Sequence, residues 1–389
     1  MYFVEKIKGT DYFRQFDYVL FLSILALSVI GIIVLSSATF SMNEGASIMK
    51  TQVVSLILGI IASLIISVID YNSLKQVATL LYLITVGLLL FVLYAGVGYE
   101  EVGSKSWLII PLTKTRSVSF QPSELAKITL VIIVSTLLDK VKEGKDIKKN
   151  IFKMFIFFLV IVGLILMQPD YGMAIVVCIA FIVIIYIAGI KYKYILFALG
   201  TLLIATPFLW LFALNDERKK RILEFILPGH DPSGASYQLD KAEIAIGSGR
   251  IWGSGLYKGI QTQTPPNIGG VPVRESDMIF TVIGEELGFI GSVLIIALIV
   301  FIILRCIYIA RNARDNYGSF LTIGLTGMLA YQFIQNIGMC LRLLPVTGLP
   351  LPFVSAGGSA MITNYISIGI ILSVSMRRRK TLFLENSNI

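Results

Sequence analysis

Apolar runs of about twenty residues recur along the whole chain, each long enough to cross a hydrocarbon core of roughly 30 Å. Within such a core the backbone must satisfy its own N–H and C=O groups, so spanning helices are the default. The composition agrees, with 56% hydrophobic residues, 15% charged residues and a mean hydropathy of +0.82. The expected fold is therefore an all-α integral membrane protein. Ten spans are read, at 18–38, 48–69, 75–95, 122–138, 152–168, 172–190, 194–213, 278–304, 318–340 and 357–376. They make residues 1–389 a single polytopic membrane domain with one large loop, 214–277, between the seventh and eighth spans. The first run is too long for a signal-peptide core and is expected to stay as helix one.

The net charge of +9 could suggest nucleic acid, but the placement of the cations points to membrane topology instead. With a cytoplasmic N-terminus, the inner segments hold 19 of the 33 Lys and Arg and the short outer segments hold 5. That bias puts both termini in the cytoplasm. Segments 96–121, 214–277 and 341–356 then face outward. Cys178, Cys306 and Cys340 lie in or at the ends of apolar helices and His230 is the sole histidine, which argues against a disulfide framework or a zinc cluster.

Chemistry-bearing residues gather at the proposed outer face. Asp277 sits where the polar loop gives way to the eighth span, with Arg274 and Glu275 beside it. Ser276 or Asp277 is able to cap that helix; alternatively, Asp277 is a base at a lipid–water boundary. Gln121-Pro-Ser-Glu-Leu-Ala-Lys127 opens the fourth span, with Glu124 and Lys127 three apart on one face. Such a pair either ties helices in register or marks a functional path. Pro169-Asp-Tyr-Gly172 is a tight turn in which Asp170 is expected to cap the next helix. The run Asp216-Glu-Arg-Lys-Lys-Arg221 suits a solvated patch or a lipid phosphate. The glycines of 247–255 only superficially resemble a phosphate cradle, since no strand precedes them. Three prolines and three glycines in 342–358 exclude a regular helix, and such backbone at membrane depth is tolerated where protein covers it or a cavity adjoins it. This segment is expected to wall a cavity near Asp277.

Taken together, Gln121–Lys127, Pro169–Gly172, Tyr237-Gln238, Asp277 through Glu285-Glu-Leu-Gly288, and Leu344–Gly358 resemble the SEDS family (shape, elongation, division and sporulation). The short tail after Arg379 and the pair Val346-Thr347 look most like its RodA members. The chain departs from the family pattern at Gly103-Ser-Lys-Ser-Trp107, where an arginine is usual, and at Arg342 and Ala356.

The resemblance implies a peptidoglycan glycosyltransferase of the bacterial cytoplasmic membrane that serves cell-wall synthesis and cell shape or division. Its substrate would be lipid II, and its partners a class B penicillin-binding protein and the elongation or division machinery, with no nucleic acid. Asp277 would be the catalytic carboxylate, taking the proton of a sugar hydroxyl as it attacks C1 of a lipid-linked MurNAc with inversion. Undecaprenyl diphosphate would leave as a stabilised anion, so cations can replace a second carboxyl acid. Glu124, Lys127, Arg221, Arg274, Gln238 and Ser355 are the expected substrate-binding residues. A divalent cation, Mg2+ or Mn2+, is an expected cofactor on Asp277. Glu285 and Glu286 are read as a polar network within the bundle. A lipid II flippase and another lipid-linked-sugar glycosyltransferase stay open as alternatives.

Overall fold

The computed structural model describes residues 15–98, 105–113, 116–189 and 235–378, together with Lys219 and Leu223. The span expected at 194–213 and the cationic run that includes Arg221 lie outside the described residues.

The chain begins with helices α1 (Tyr18–Ala38), α2 (Gly45–Val68) and α3 (Ser73–Ala95). A two-stranded antiparallel hairpin follows, β1 (Leu108–Thr113) and β2 (Arg116–Phe120), in the register Leu108 to Phe120. Then come α4 (Pro122–Lys142), α5 (Ile147–Met167) and α6 (Tyr171–Ile187). After the loop, α7 (Ala235–Ser248) and the single turn α8 (Ile260–Gln263) precede α9 (Ile279–Val282), a π turn (Ile283–Leu287) and α10 (Gly288–Arg311). The last two helices are α11 (Asn316–Cys340) and α12 (Gly358–Met376). The hairpin was not anticipated in the sequence; it folds the loop before α4 back on itself.

Helix starts follow local chemistry. Asp17, Asp170 and Asp315 each accept from a first-turn N–H, those of Leu20 (3.0 Å), Met173 (3.1 Å) and Gly318 (2.7 Å). The expected cap at Asp170 is thus present. Gln121 Nε2 also donates to Asp170 Oδ2 at 2.9 Å, joining the start of α4 to the start of α6.

Among the described residues, α1, α2, α3, α5, the stretch Ile279–Arg311 and α12 are long and apolar enough to cross a membrane. Helices α4 and α11 are equally long but carry more polar side chains, because protein surrounds them. From Pro122 to Leu138, α4 is buried on nearly every side, and 83% of the apolar stretch of α12 is buried. By contrast Leu58, Leu83, Leu159 and Leu294 on α2, α3, α5 and α10 are half or more exposed, as lipid-facing side chains are. The centre is therefore α4, α11 and α12, with the other helices around it.

Small residues allow close approach at the α2–α12 contact. A Cβ on Gly369 would meet Ser63 O at 2.7 Å, and one on Gly59 would meet the Tyr365 ring at 3.0 Å. At the end of the bundle away from Asp277, ion pairs tie the termini of helices. Arg305 meets Asp17 at 2.9 Å and Lys75 meets Asp139 at 2.7 Å.

The eighth span is not one continuous helix. Past the π turn, Gly288 takes φ +68° and the backbone ladder is interrupted. The polar segment 249–255 fills the break with its own backbone. Ser254 N and Gly255 N donate to the carbonyls of Glu285 (2.9 Å) and Glu286 (3.0 Å). In return, Phe289 N and Ile290 N donate to the carbonyls of Arg250 (2.8 Å) and Ile251 (3.2 Å). This is the actual role of the glycine-rich run: backbone docks on backbone where a Cβ would intrude. Gly253 has φ +78°, and its Cβ would collide with the Glu286 carbonyl. Gly253→Ala should therefore cost more than the roughly 1–2 kcal/mol of a left-handed non-glycine residue. Thermal unfolding in detergent checks this against Gly247→Ala, whose added Cβ meets nothing within 4 Å.

Candidate active site around Asp277

Asp277 lies half-buried in the turn Val273–Met278, closed by Ser276 N and Met278 N donating to Val273 O (3.2 and 3.1 Å). The helix that follows starts at Ile279, with Met278 in the cap position and Asp277 one residue before it. Ser276 Oγ donates to Asp277 Oδ1 at 3.3 Å. On the far side stands Gly348 (φ +72°), where an added Cβ would lie 3.3 Å from Asp277 Oδ2. The irregular segment 341–357 thus lies as a wall directly against the carboxylate, as expected of the prolines and glycines of 342–358, while the cavity expected there is not among the features the structure describes.

Four helices and the Asp277 turn itself hold that wall. Asn336 Nδ2 donates to both Asp277 O and Leu349 O at 2.8 Å, linking the turn to the wall through α11. Gln335 Nε2 donates to Pro345 O at 2.8 Å. Ser355 Oγ accepts from Leu351 N (2.8 Å) and donates to Ser276 O (2.6 Å), while Ala356 N donates to Glu275 O (2.8 Å). From α2, Gln52 donates to Ser355 O (2.8 Å) and accepts from Gly357 N (3.0 Å). Gly31 of α1 lets Phe353 and Val354 lie against it, and Gly172 of α6 faces Thr347 O, 2.8 Å from where its Cβ would be. Ser355 is therefore a fastener of the wall, 5% exposed.

The other residues singled out in the sequence are spread over the molecule. Glu124 and Lys127 pair at 2.7 Å in the bundle centre, 1% and 0% exposed. Lys127 Nζ also donates to Asn364 Oδ1 (3.1 Å) and Gln332 Oε1 (3.3 Å), and Thr363 Oγ1 donates to Glu124 Oε2 (2.6 Å). The three N–H groups of an ammonium thus have three protein partners, on α4, α11 and α12. Arg274 is 1% exposed although it adjoins the site. It donates to Ala38 O (2.9 Å), Thr264 O (2.6 Å) and Ser41 Oγ (2.7 Å), pinning the loop to the end of α1. Burial pulls its guanidinium below the usual arginine pKa, and Glu275 and Glu286 oppose that shift. Gln238 is half-buried on α7. Arg221 lies outside the described residues.

Arg342, noted in the sequence only as a departure, bridges to α7 through Asp240 (2.8 Å) and Glu243 (3.4 Å). Those acids are 53% and 70% exposed, so solvent screens the attraction. Arg342→Ala should change stability by no more than about 1 kcal/mol, measurable by thermal unfolding.

A family model for FtsW, RodA and SpoVE, described as "Cell cycle protein", matches residues 16–380. The chain is 32% identical over 368 residues to a "Probable peptidoglycan glycosyltransferase FtsW" of Trichlorobacter lovleyi, covering 93% of each. It is 31% identical over 363 residues to "Peptidoglycan glycosyltransferase MrdB" of Escherichia coli K12, covering 93% of this chain and 94% of that one. Two such similar identities do not separate the branches of the family. Among solved structures, the Thermus thermophilus rod shape determining protein RodA superposes with a TM-score of 0.68 at 25% identity, over 94% of this chain and 98% of that one. A chain of a peptidoglycan synthase complex, solved to describe the coordination of polymerization and crosslinking, gives 0.77 at 27%, over 94% and 99%. With its described helices, its wall against Asp277 and these matches, the chain belongs to the FtsW/RodA/SpoVE family of multi-pass membrane proteins.

Proposed function

We propose that this protein is a peptidoglycan glycosyltransferase that polymerises lipid II at the outer face of the cytoplasmic membrane. The observation that carries the reading is a half-buried carboxylate, Asp277, held between a polar turn and a non-helical wall at one end of a membrane bundle. That end faces outward by the charge bias of 19 cations against 5, with both termini in the cytoplasm.

In the reaction, Asp277 accepts the proton of the C4 hydroxyl of one disaccharide while its oxygen forms the bond to C1 of a MurNAc. The bond from C1 to the diphosphate oxygen breaks on the opposite side, and undecaprenyl diphosphate leaves as an anion. A positioned base contributes about 10²–10⁴-fold. Ser276 orients the carboxylate, and Asn336 fixes the backbone behind it. Lys127, Glu124 and Arg274 are read as holding helices and loop, a reading supported by their bonds to protein groups. The 216–221 run, with Arg221, and Gln238 of α7 are left to meet the diphosphate and sugars.

Among the described residues no three His, Cys, Asp or Glu side chains converge to cage a metal. A Mg2+ or Mn2+ ion on Asp277 would draw its other oxygens from the diphosphate, as Mg2+ commonly does, and would offset charge on the leaving group. The partner proposed is a class B penicillin-binding protein, which cross-links the strands made here. The function is tested by giving the purified complex lipid II, with any glycosyl transfer by the partner disabled. Strands of several disaccharides are the expected product, and unreacted lipid II would refute the reading.

A further inference from the structure

We propose that Glu285 and Glu286 form a clasp that positions Asp277, acting on turnover through that residue without touching substrate; the proposal rests on the polymerase reading above. Both carboxylates are buried, each 1% exposed, in the π turn of the broken span. Among the described residues, each of their hydrogen-bond partners donates to them. Glu285 accepts from Gln261 N (2.8 Å), Thr262 N (2.8 Å) and Ser248 Oγ (3.3 Å). Glu286 accepts from Ser37 Oγ (2.5 Å), Tyr257 N (3.1 Å), Gln263 Nε2 (2.9 Å) and Thr262 Oγ1 (3.5 Å).

These contacts close a ring of chain. The segment from Tyr257 to Gln263 is fixed to the two carboxylates. From there Val271 N donates to Gln261 O (3.1 Å), and Arg274 holds Thr264 O. The Val273–Met278 turn with Asp277 comes next, and α9 leads back into the π turn. The ring therefore begins and ends at Glu285 and Glu286, and Asp277 lies on it. The end of α1 serves as a common post, with Ser37 on Glu286 and with Ala38 and Ser41 on Arg274. Asp277 precedes α9 and Glu285 lies in the π turn beyond it, so a full helical turn stands between the two carboxylates and the clasp does not share the reacting proton. What it governs is the placement of the Asp277 turn against the Gly348 wall.

An amide at position 286 keeps the Tyr257 N–H bond only with its NH2 toward Gln263, and a Gln263 amide turned over to accept it would set its oxygen against the Ser37 carbonyl. Glu286→Gln keeps the volume and opens one side of the clasp. With the purified complex and lipid II, kcat per folded molecule should fall between about tenfold and about 100-fold, the scale of an ångström-sized misplacement. KM should stay within about twofold of wild type. Hydrogen exchange at the Ser276 and Met278 amides, which close the Asp277 turn, should accelerate. If Glu286→Gln does not fold, Gln263→Ala removes one donor while leaving both acids, and should show the same pattern at a few-fold reduction in kcat. Unchanged kcat and exchange in a folded variant would overturn the proposal, as would a raised KM with kcat intact, which marks direct substrate contact. If the wild-type complex makes no glycan, the polymerase reading fails by itself, and the exchange measurement still reports whether the clasp holds the turn.

Discussion

Asp277→Asn should leave the protein folded and lower lipid II polymerisation by at least the general-base factor of about 10². Backbone contacts help to secure this position. Asn336 Nδ2 and Cys340 Sγ both reach Asp277 O, and Met278 holds the cap position of the following helix. An asparagine preserves those contacts and the side-chain volume, so unfolding free energy should stay within about 1 kcal/mol, the scale of one net hydrogen bond. It does not accept a proton usefully at neutral pH. Expression, thermal unfolding and co-purification with the transpeptidase read the structural side, and glycan formation reads the chemical side. Full glycan synthesis by the variant would end the base assignment.

Glu124→Ala should destabilise by about 3–5 kcal/mol, because it strands the Lys127 ammonium in the bundle centre. Against a typical total of about 5–15 kcal/mol, a loss of that size shows as poor folded yield. Lys127 joins residues of α4, α11 and α12, which favours a role for the pair in helix register. Exchanging the two as Glu124→Lys with Lys127→Glu should therefore recover folded protein and a substantial part of the activity. The amides of Gln332 and Asn364 can present their NH2 groups to a carboxylate at position 127. A swapped protein that folds fully and makes no glycan would instead return Lys127 to contact with a lipid phosphate.

Local signals in the sequence carried far where the structure depends on local chemistry. Apolar length located the long described helices, the eighth span's end missed by seven residues, while the helix Ala235–Ser248 inside the polar loop was not read. The i,i+3 spacing of Glu124 and Lys127 and the cap at Asp170 were readable because their partners lie within one turn. The prolines and glycines of 342–358 excluded a regular helix there, a local property, although the partners that hold the segment lie far away in sequence. Arg274 was the instructive case. Proximity to Asp277 in the chain suggested a phosphate ligand, yet its guanidinium is bound by Ala38 and Ser41, more than 230 residues away in sequence. Periodicity carries no record of such pairings. Likewise the glycines of 247–255 were visible, while their purpose depends on the carbonyls freed by the π turn, which no local pattern announced.

The most direct test of the account places the wild-type complex in vesicles carrying labelled lipid II, with any glycosyl transfer by the partner disabled, and follows two products at once. A site at one end of the bundle predicts glycan strands made from lipid II in the leaflet facing that end, with no exchange of lipid II between leaflets. Movement of lipid II across the bilayer with no glycan formed would contradict it and make the protein a transporter.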